Sequence, residues 1–387
     1  NNSIQVDKDK FVFVIGNGPS LDNYIKIIKK YRDNAIVIAS GTAINSLYNY
    51  NIVADIYVAI ERTITVYDSI SDLPKDYLDK ITIIGMNTIH PRLFTQFNKK
   101  FMFLKSQDTG TDFINNSKYK ILNHSNPTVT NGALSLAISL GFKNICLFGI
   151  DFGYKDSKNH HSKNSIYLDK SHKYFEKEFK DEIEIEGVDR DIIYTQEIYN
   201  NSRKYIELLI KDSSKDINIY NFSNGAKIEG TKRVINPKDI KLNKEKINKK
   251  KILTNISQQF TIYKKDIKLN KEKINKNIKK LEKLIKEYNN KNITIYEYLK
   301  FCDIFYKRFR IEYNNEFKYL HQLYNGTIVT LMGMIYSYAS INSDNKKISL
   351  FIYKSLNSLK KFLKKSRKEI LNIEKKIDTP FKWRDNG

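Results

Sequence analysis

The chain has 387 residues, 41% hydrophobic and 28% charged, a balance that excludes a disordered polymer and suits two globular domains. No apolar run approaches the roughly 20 residues of a membrane-crossing helix, and Asn1 to Lys10 are too polar for a signal peptide. The formal net charge is +24, with the surplus concentrated after Lys227, where Lys alternates with Asn and Ile. That pattern fits neutral drift on a solvated surface better than a dedicated polyanion site.

Phe11-Val-Phe-Val-Ile15 reads as a strand covered on both faces, and it runs into Gly16-Asn-Gly-Pro-Ser20. Leu21, Tyr24, Ile25, Ile28 and Tyr31 then recur at helical spacing. Ala35 to Ala39 is the next strand, followed by Gly41 and a short helix through Ala43 and Leu47. Ile56 to Ile60, Ile81 to Met86 and Phe101 to Leu104 are further strand candidates. Asn131 to Gly141 reads as a helix closed by Gly141, with Ile145 to Ile150 as the strand after it. A last helix and strand cover Glu197 to Lys211 and Ile217 to Asn221. Strands alternating with helices predict an α/β, doubly wound, mainly parallel Rossmann-like sheet over residues 1–237. Beyond Pro237 the pattern turns helical, which predicts an all-helical domain over 238–387. There Asp239 to Lys249 returns residue for residue as Asp266 to Lys276. One such pair is short of the three repeats a solenoid needs. Ile267, Ile274, Ile278, Leu281, Ile285 and Tyr288 form a heptad-like stripe. Helical patterns continue through Tyr298 to Tyr324, Ile328 to Tyr338 and Ile348 to Ile373.

Candidate chemistry gathers at the strand ends, where open α/β sheets place their ligands. Gly16, Asn17, Gly18, Pro19 and Ser20 leave the first strand; glycines let a backbone approach a ligand, and the following helix offers amides to a phosphate. A plain tight turn would use the same residues. Ser40, Gly41 and Thr42 close the second strand, Glu61 the third and Asn87 the fourth. Thr128-Val-Thr130-Asn131-Gly132 suits a helix cap or an anion contact. Asp151 stands at the tip of a buried strand, between Gly149 and Gly153. His160 and His161 follow in a polar loop flanked by Tyr154 and Tyr167; imidazole titrates near neutral pH and serves as a general base. No His or Cys spacing has the form of a metal site, and no Walker or Gly-x-Ser-x-Gly pattern occurs. Cys146 and Cys302 lie in apolar contexts and read as buried thiols of a reducing, cytoplasmic compartment.

Taken in order, these motifs resemble the motility accessory factors of flagellated bacteria. The resemblance rests on Gly16-Asn-Gly-Pro-Ser-Leu-Asp22, Ala39-Ser-Gly-Thr-Ala43, Ala54-Asp-Ile-Tyr-Val-Ala-Ile-Glu61, Thr128 to Ala137, Gly149-Ile-Asp-Phe-Gly153, His160-His161 and Asn221 to Gly230. It covers roughly residues 11–235. Those factors are glycosyltransferases that move pseudaminic or legionaminic acid from a CMP donor to Ser or Thr of flagellin. Their core is similar to bacterial lipooligosaccharide sialyltransferases, a variant glycosyltransferase-A type. By that resemblance Gly16, Asn17, Gly18, Ser20, Asn131 and Gly132 hold CMP. The general base comes from His161 or His160, with Asp151 and Glu61 as the other candidates. No metal and no tightly bound cofactor is implied. Asn131 stands where the sialyltransferases carry Ser, and the His pair follows Asp151 sooner than their base does. Two other readings remain. A pterin pyrophosphokinase family shares similar glycine-loop and Thr-Val-Thr-Asn-Gly patterns and would use ATP and Mg2+. A non-catalytic, RNA-binding role for the basic tail lacks any recognisable nucleic-acid motif.

Overall fold

The computed structural model describes residues 9–106, 108, 111, 119–178, 183–240, 242, 245–261, 271–313 and 318–372. They fall into two compact units: 9–106 with 119–261, and 271–372 with residues 108 and 111.

The first unit is built on a nine-stranded sheet. Its strands are β1 (Phe11–Ile15), β2 (Ala35–Ser40), β3 (Ile56–Ala59), β4 (Thr82–Met86), β5 (Lys99–Lys105), β6 (Ile121–Leu122), β7 (Asn144–Phe148), β10 (Asn218–Asn221) and β11 (Lys232–Arg233). An antiparallel hairpin, β8 (Ile183–Glu186) with β9 (Ile192–Thr195), stands apart from it. The order across the sheet is β11-β10-β7-β1-β2-β3-β4-β5-β6, and the neighbouring strands are paired parallel. Every residue of β1 to β4 is buried, which is why these segments read as unbroken apolar runs rather than alternating ones.

Helices of this unit are α1 (Leu21–Tyr31), α2 (Ala43–Asn49), α3 (Thr65–Asp68), α4 (Lys75–Leu78), α5 (Pro91–Thr95), α6 (Val129–Ser139), α7 (Glu197–Lys211) and α8 (Lys249–Ser257). α6 lies against β1, β2 and β3, with Ala133, Leu134, Leu136 and Ala137 buried. Gly141, at φ +93°, ends that stretch in the left-handed conformation glycine favours.

The sheet order reverses at β1, between β2 on one side and β7 on the other. Such a switch point opens a crevice at the carboxyl ends of the strands. Ile15 is in register with both Ala39 and Phe148, so Gly16, Ser40 and Gly149 emerge side by side.

The first unit runs past the boundary drawn at Pro237. α8 packs Ile252 and Ile256 into the core of the sheet, and Lys249 reaches buried Asp55 at 2.5 Å. The run of lysines there masked two buried isoleucines.

The second unit consists, among its described residues, of α9 (Lys271–Tyr288), α10 (Ile295–Tyr313), α11 (Lys318–Ile341) and α12 (Asn345–Leu371). Ile274, Ile278, Leu281 and Ile285 of the heptad-like stripe are buried against Phe301, Phe305, Ile352 and Leu359. Ile267, where the stripe begins, lies outside the described residues. No described helix is long and apolar enough to cross a membrane.

Candidate active site

A cleft of about 530 Å3 opens at the switch point, within the size range of small-molecule sites. The loops after β1, β2, β3 and β7 form its floor, and the N-terminus of α6 closes one wall. Asn17, Gly18, Ser40, Gly41, Thr42, Glu61, Thr130, Asp151, Tyr154, His160, His161 and Tyr167 all line it. The strand-end reading of the sequence thus brings twelve of its eighteen residues to one cavity.

The other six are placed differently. Gly16 serves the close approach of two loops: a Cβ there would meet the Gly149 carbonyl oxygen at 2.4 Å. Pro19 and Ser20 form the turn into α1, and the Ser20 amide donates to Asp151 Oδ2 at 3.1 Å. The α1 terminus was expected to offer that amide to a ligand phosphate; the chain's own carboxylate takes it. Asn87 joins β4 to β5, donating its amide to the Phe103 carbonyl and accepting from the Lys105 amide. Asn131 is fully buried and braces α6 against α7: its Nδ2 donates to the Ser202 carbonyl at 2.9 Å, and its Oδ1 accepts from Thr128 and from the Ser202 hydroxyl. Gly132 is a packing glycine, where a Cβ would meet Ile60 Cγ2 at 2.9 Å.

Asp151 is buried, and burial pushes its carboxyl up to about 6. Its Oδ1 accepts the Asn224 amide at 3.2 Å. Gly18 lies beside it, with room for no side chain: a Cβ would stand 2.1 Å from Asp151 Oδ2. Phe152 follows at φ +47°, a conformation that costs a non-glycine residue about 1 kcal/mol or more.

Asn17 points away from phosphate chemistry toward a clamp. Its Nδ2 donates to Thr42 Oγ1 at 3.0 Å and Ser165 Oγ at 2.8 Å, and its Oδ1 accepts from Ser46 Oγ at 2.6 Å. Asp22 adds to the clamp by accepting from Ser162 Oγ and the Lys163 amide. Together they pin the histidine loop over the glycine turn.

In that loop His160 is buried, and its Nδ1 donates to the Ser157 carbonyl at 2.6 Å. A carbonyl only accepts, so Nδ1 carries the proton and Nε2 is the basic nitrogen. Nε2 faces Glu176 at 3.7 Å. The Glu176 side chain is 44% exposed; the burial of its remainder raises its carboxyl while the charge of His160 lowers it. His161 packs on Tyr167, with ring centroids 4.5 Å apart, and burial depresses its pKa to about 3. Glu61 is exposed at the rim. Sequence reasoning missed Glu176, Tyr174, Tyr199, Thr65 and Ser69, all of which line the cleft.

Two of the wall elements, β2 and α6, end in groups suited to a polar ligand. The buried Ser40 hydroxyl has no hydrogen-bond partner among the described residues. Thr128 and Thr130 stand at the N-terminus of α6; a capping box takes the Thr128 and Asn131 amides, so an anion there would meet the amides of Val129 and Thr130. Among the described residues no three His, Cys, Asp or Glu side chains group as a metal site would.

A solved MAf glycosyltransferase from Magnetospirillum magneticum AMB-1 superimposes on the chain with a TM-score of 0.75 at 20% identity. The chain has the fold of a MAf glycosyltransferase. The match covers 96% of this chain and 56% of that structure, so the chain spans about half the length of the MAf protein it matches. Residues 2–157 match the family model described as 6-hydroxymethylpterin diphosphokinase MptE-like, which spans β1 to β7 and the strand-end loops of the cleft. None of the curated proteins compared with the chain matches it. The resemblance of the motifs to the motility accessory factors therefore extends to a MAf fold over nearly the whole chain, helical unit included.

Proposed function

We propose that the chain is a glycosyltransferase that moves a nonulosonic acid, of the pseudaminic, legionaminic or sialic type, from a CMP donor to Ser or Thr hydroxyls of flagellin. The observation that carries this reading is the cleft at the switch point of a MAf-type fold, where an anion-suited helix terminus and a buried His160 paired with Glu176 line one donor-sized cavity. The reaction belongs to the cytoplasm, where flagellin and activated sugars are made.

In this mechanism the nucleotide phosphate rests on the N-terminus of α6, between Thr128 and Thr130, and not on α1, whose Ser20 amide is engaged by Asp151. The acceptor oxygen attacks the anomeric carbon through an oxocarbenium-like state, and the bond from that carbon to the phosphate oxygen breaks, releasing CMP with inversion. The hydroxyl proton passes to His160 Nε2, and the Glu176 carboxylate faces the imidazolium that forms. His161 is a poorer proton acceptor at neutral pH, because burial holds it near 3. Asp151 holds the Ser20 and Asn224 backbone amides in place. The α6 dipole stabilises the departing phosphate.

A second reading follows from the MptE-like match over residues 2–157: transfer of diphosphate from ATP to a pterin alcohol in the same cleft. A thermal-shift screen separates the two, because a ligand stabilises the state it binds. CMP without metal is expected to raise the melting temperature. A rise with ATP and Mg2+ and none with CMP would move the assignment to diphosphate transfer.

A further inference from the structure

We propose that a groove beside the cleft, floored by the outward face of α7, is the docking site for an extended, apolar segment of the acceptor polypeptide; this rests on the reading of the cleft as a sugar-transfer site. The groove has a volume of about 800 Å3 and is lined by Ile183, Gln196, Glu197, Asn201 and Tyr205. Two further residues, Pro127 and Ile198, line both it and the cleft, so the two cavities share a wall.

The apolar face of α7 is wider than the core covers. Its inner part buries Ile206 and Leu209 in the core of the sheet. Its outer margin carries Ile198, Tyr205 and Leu208, 52%, 43% and 45% exposed, where the apolar stripe of a surface helix ordinarily gives way to polar residues. Ile183, at the start of β8, extends the apolar strip at 39% exposure. An exposed strip of this kind marks an interaction surface. It begins at Ile198, on the rim of the cavity where the acceptor hydroxyl must arrive.

The lining decides among occupants. In a chain of net charge +24, the described residues lining the groove include no Lys or Arg and one carboxylate, Glu197. A polyanion or an anionic lipid surface finds no described lining residue to pair with. An uncharged polypeptide does: Asn201 carries an amide group matched to main-chain N–H and C=O, and the apolar strip takes its side chains. Docking along α7 would lay the flanking residues of a Ser or Thr on the strip while its hydroxyl enters the cleft past Pro127.

The test compares wild type with Tyr205→Ser and Leu208→Ser, using purified flagellin and a CMP-activated nonulosonic acid. CMP affinity is measured by calorimetry, and acceptor KM and kcat by the rate of CMP release. Losing one such anchor is expected to raise the acceptor KM about tenfold, with kcat and CMP affinity held. Unchanged acceptor KM in both variants, with wild-type transfer intact, overturns the groove. So does a wild-type dimer that Leu208→Glu splits without changing acceptor KM, since the strip then belongs to a second copy. A wild type that neither binds CMP nor releases it in the presence of donor is a different failure: it removes the reaction in the cleft, and the acceptor with it.

Discussion

Replacing Asp151 by Asn separates the cost of burying a charge from the worth of its hydrogen bonds. Burial lifts the carboxyl from 3.8 to about 6, so between those values the folded chain holds a proton the unfolded chain has released. Stability from this group is fully present below pH 4 and is lost as pH rises through 6. At ~1.4 kcal/mol per unit, the shift from 3.8 to about 6 corresponds to a loss of roughly 3 kcal/mol. The amide variant has no such loss. It does give up a bond, because Oδ1 alone can accept, and either the Ser20 or the Asn224 amide is left facing an NH2 group. That costs about 1–3 kcal/mol at any pH. Asp151→Asn is therefore expected to be less stable than wild type at pH 4 and to equal or exceed it at pH 7.5. Urea unfolding followed by far-ultraviolet circular dichroism across that range reads the difference directly. Two parallel pH profiles would refute the buried-charge account, since only the carboxyl titration makes the gap close.

Other substitutions test the remaining parts of the site. Asn17→Ala removes three side-chain hydrogen bonds, so a loss of about 2 kcal/mol and weaker CMP binding are expected, the latter because the histidine loop loosens; calorimetry showing unchanged affinity would detach that loop from the donor site. Asn131→Ala is expected to cost about 2–4 kcal/mol of stability in urea, through the α6–α7 brace, rather than to delete a ligand contact. His160→Gln is expected to keep CMP affinity while lowering transfer at least 100-fold, the smallest effect usual for a general base; His161→Gln is expected to have the smaller effect, and the reverse ranking in initial-rate measurements would exchange their roles. Lys249→Met breaks the buried pair with Asp55 and is expected to cost about 3 kcal/mol in the same unfolding assay.

The parts of the fold legible in the sequence are those where burial is two-sided. β1 to β4 are buried throughout, and the alternation of such apolar runs with helices by itself implies a parallel sheet. β6 and β11 have two residues each and offer no pattern to read. The hairpin β8–β9 has only four residues a strand, Ile-Glu-Ile-Glu and Ile-Ile-Tyr-Thr, too few for a pattern to stand out from the polar stretch around it. At the site, strand ends were a sound guide to the cleft but not to the use of each residue. Asn131 and the Ser20 amide have polar groups of the right kind, and only the fold reveals that Ser202 and Asp151 already hold them. Glu176 escaped notice because it lies in a long loop with no periodic signal, and its partnership with His160 exists only in three dimensions.

Intact-mass spectrometry of flagellin incubated with the chain and a CMP-activated nonulosonic acid tests the central claim most directly. The account expects flagellin to gain the mass of one or more nonulosonic acid residues on Ser or Thr, with one CMP released for each. Unmodified flagellin, together with conversion of ATP and a hydroxymethylpterin to the pterin diphosphate by the same preparation, would contradict it.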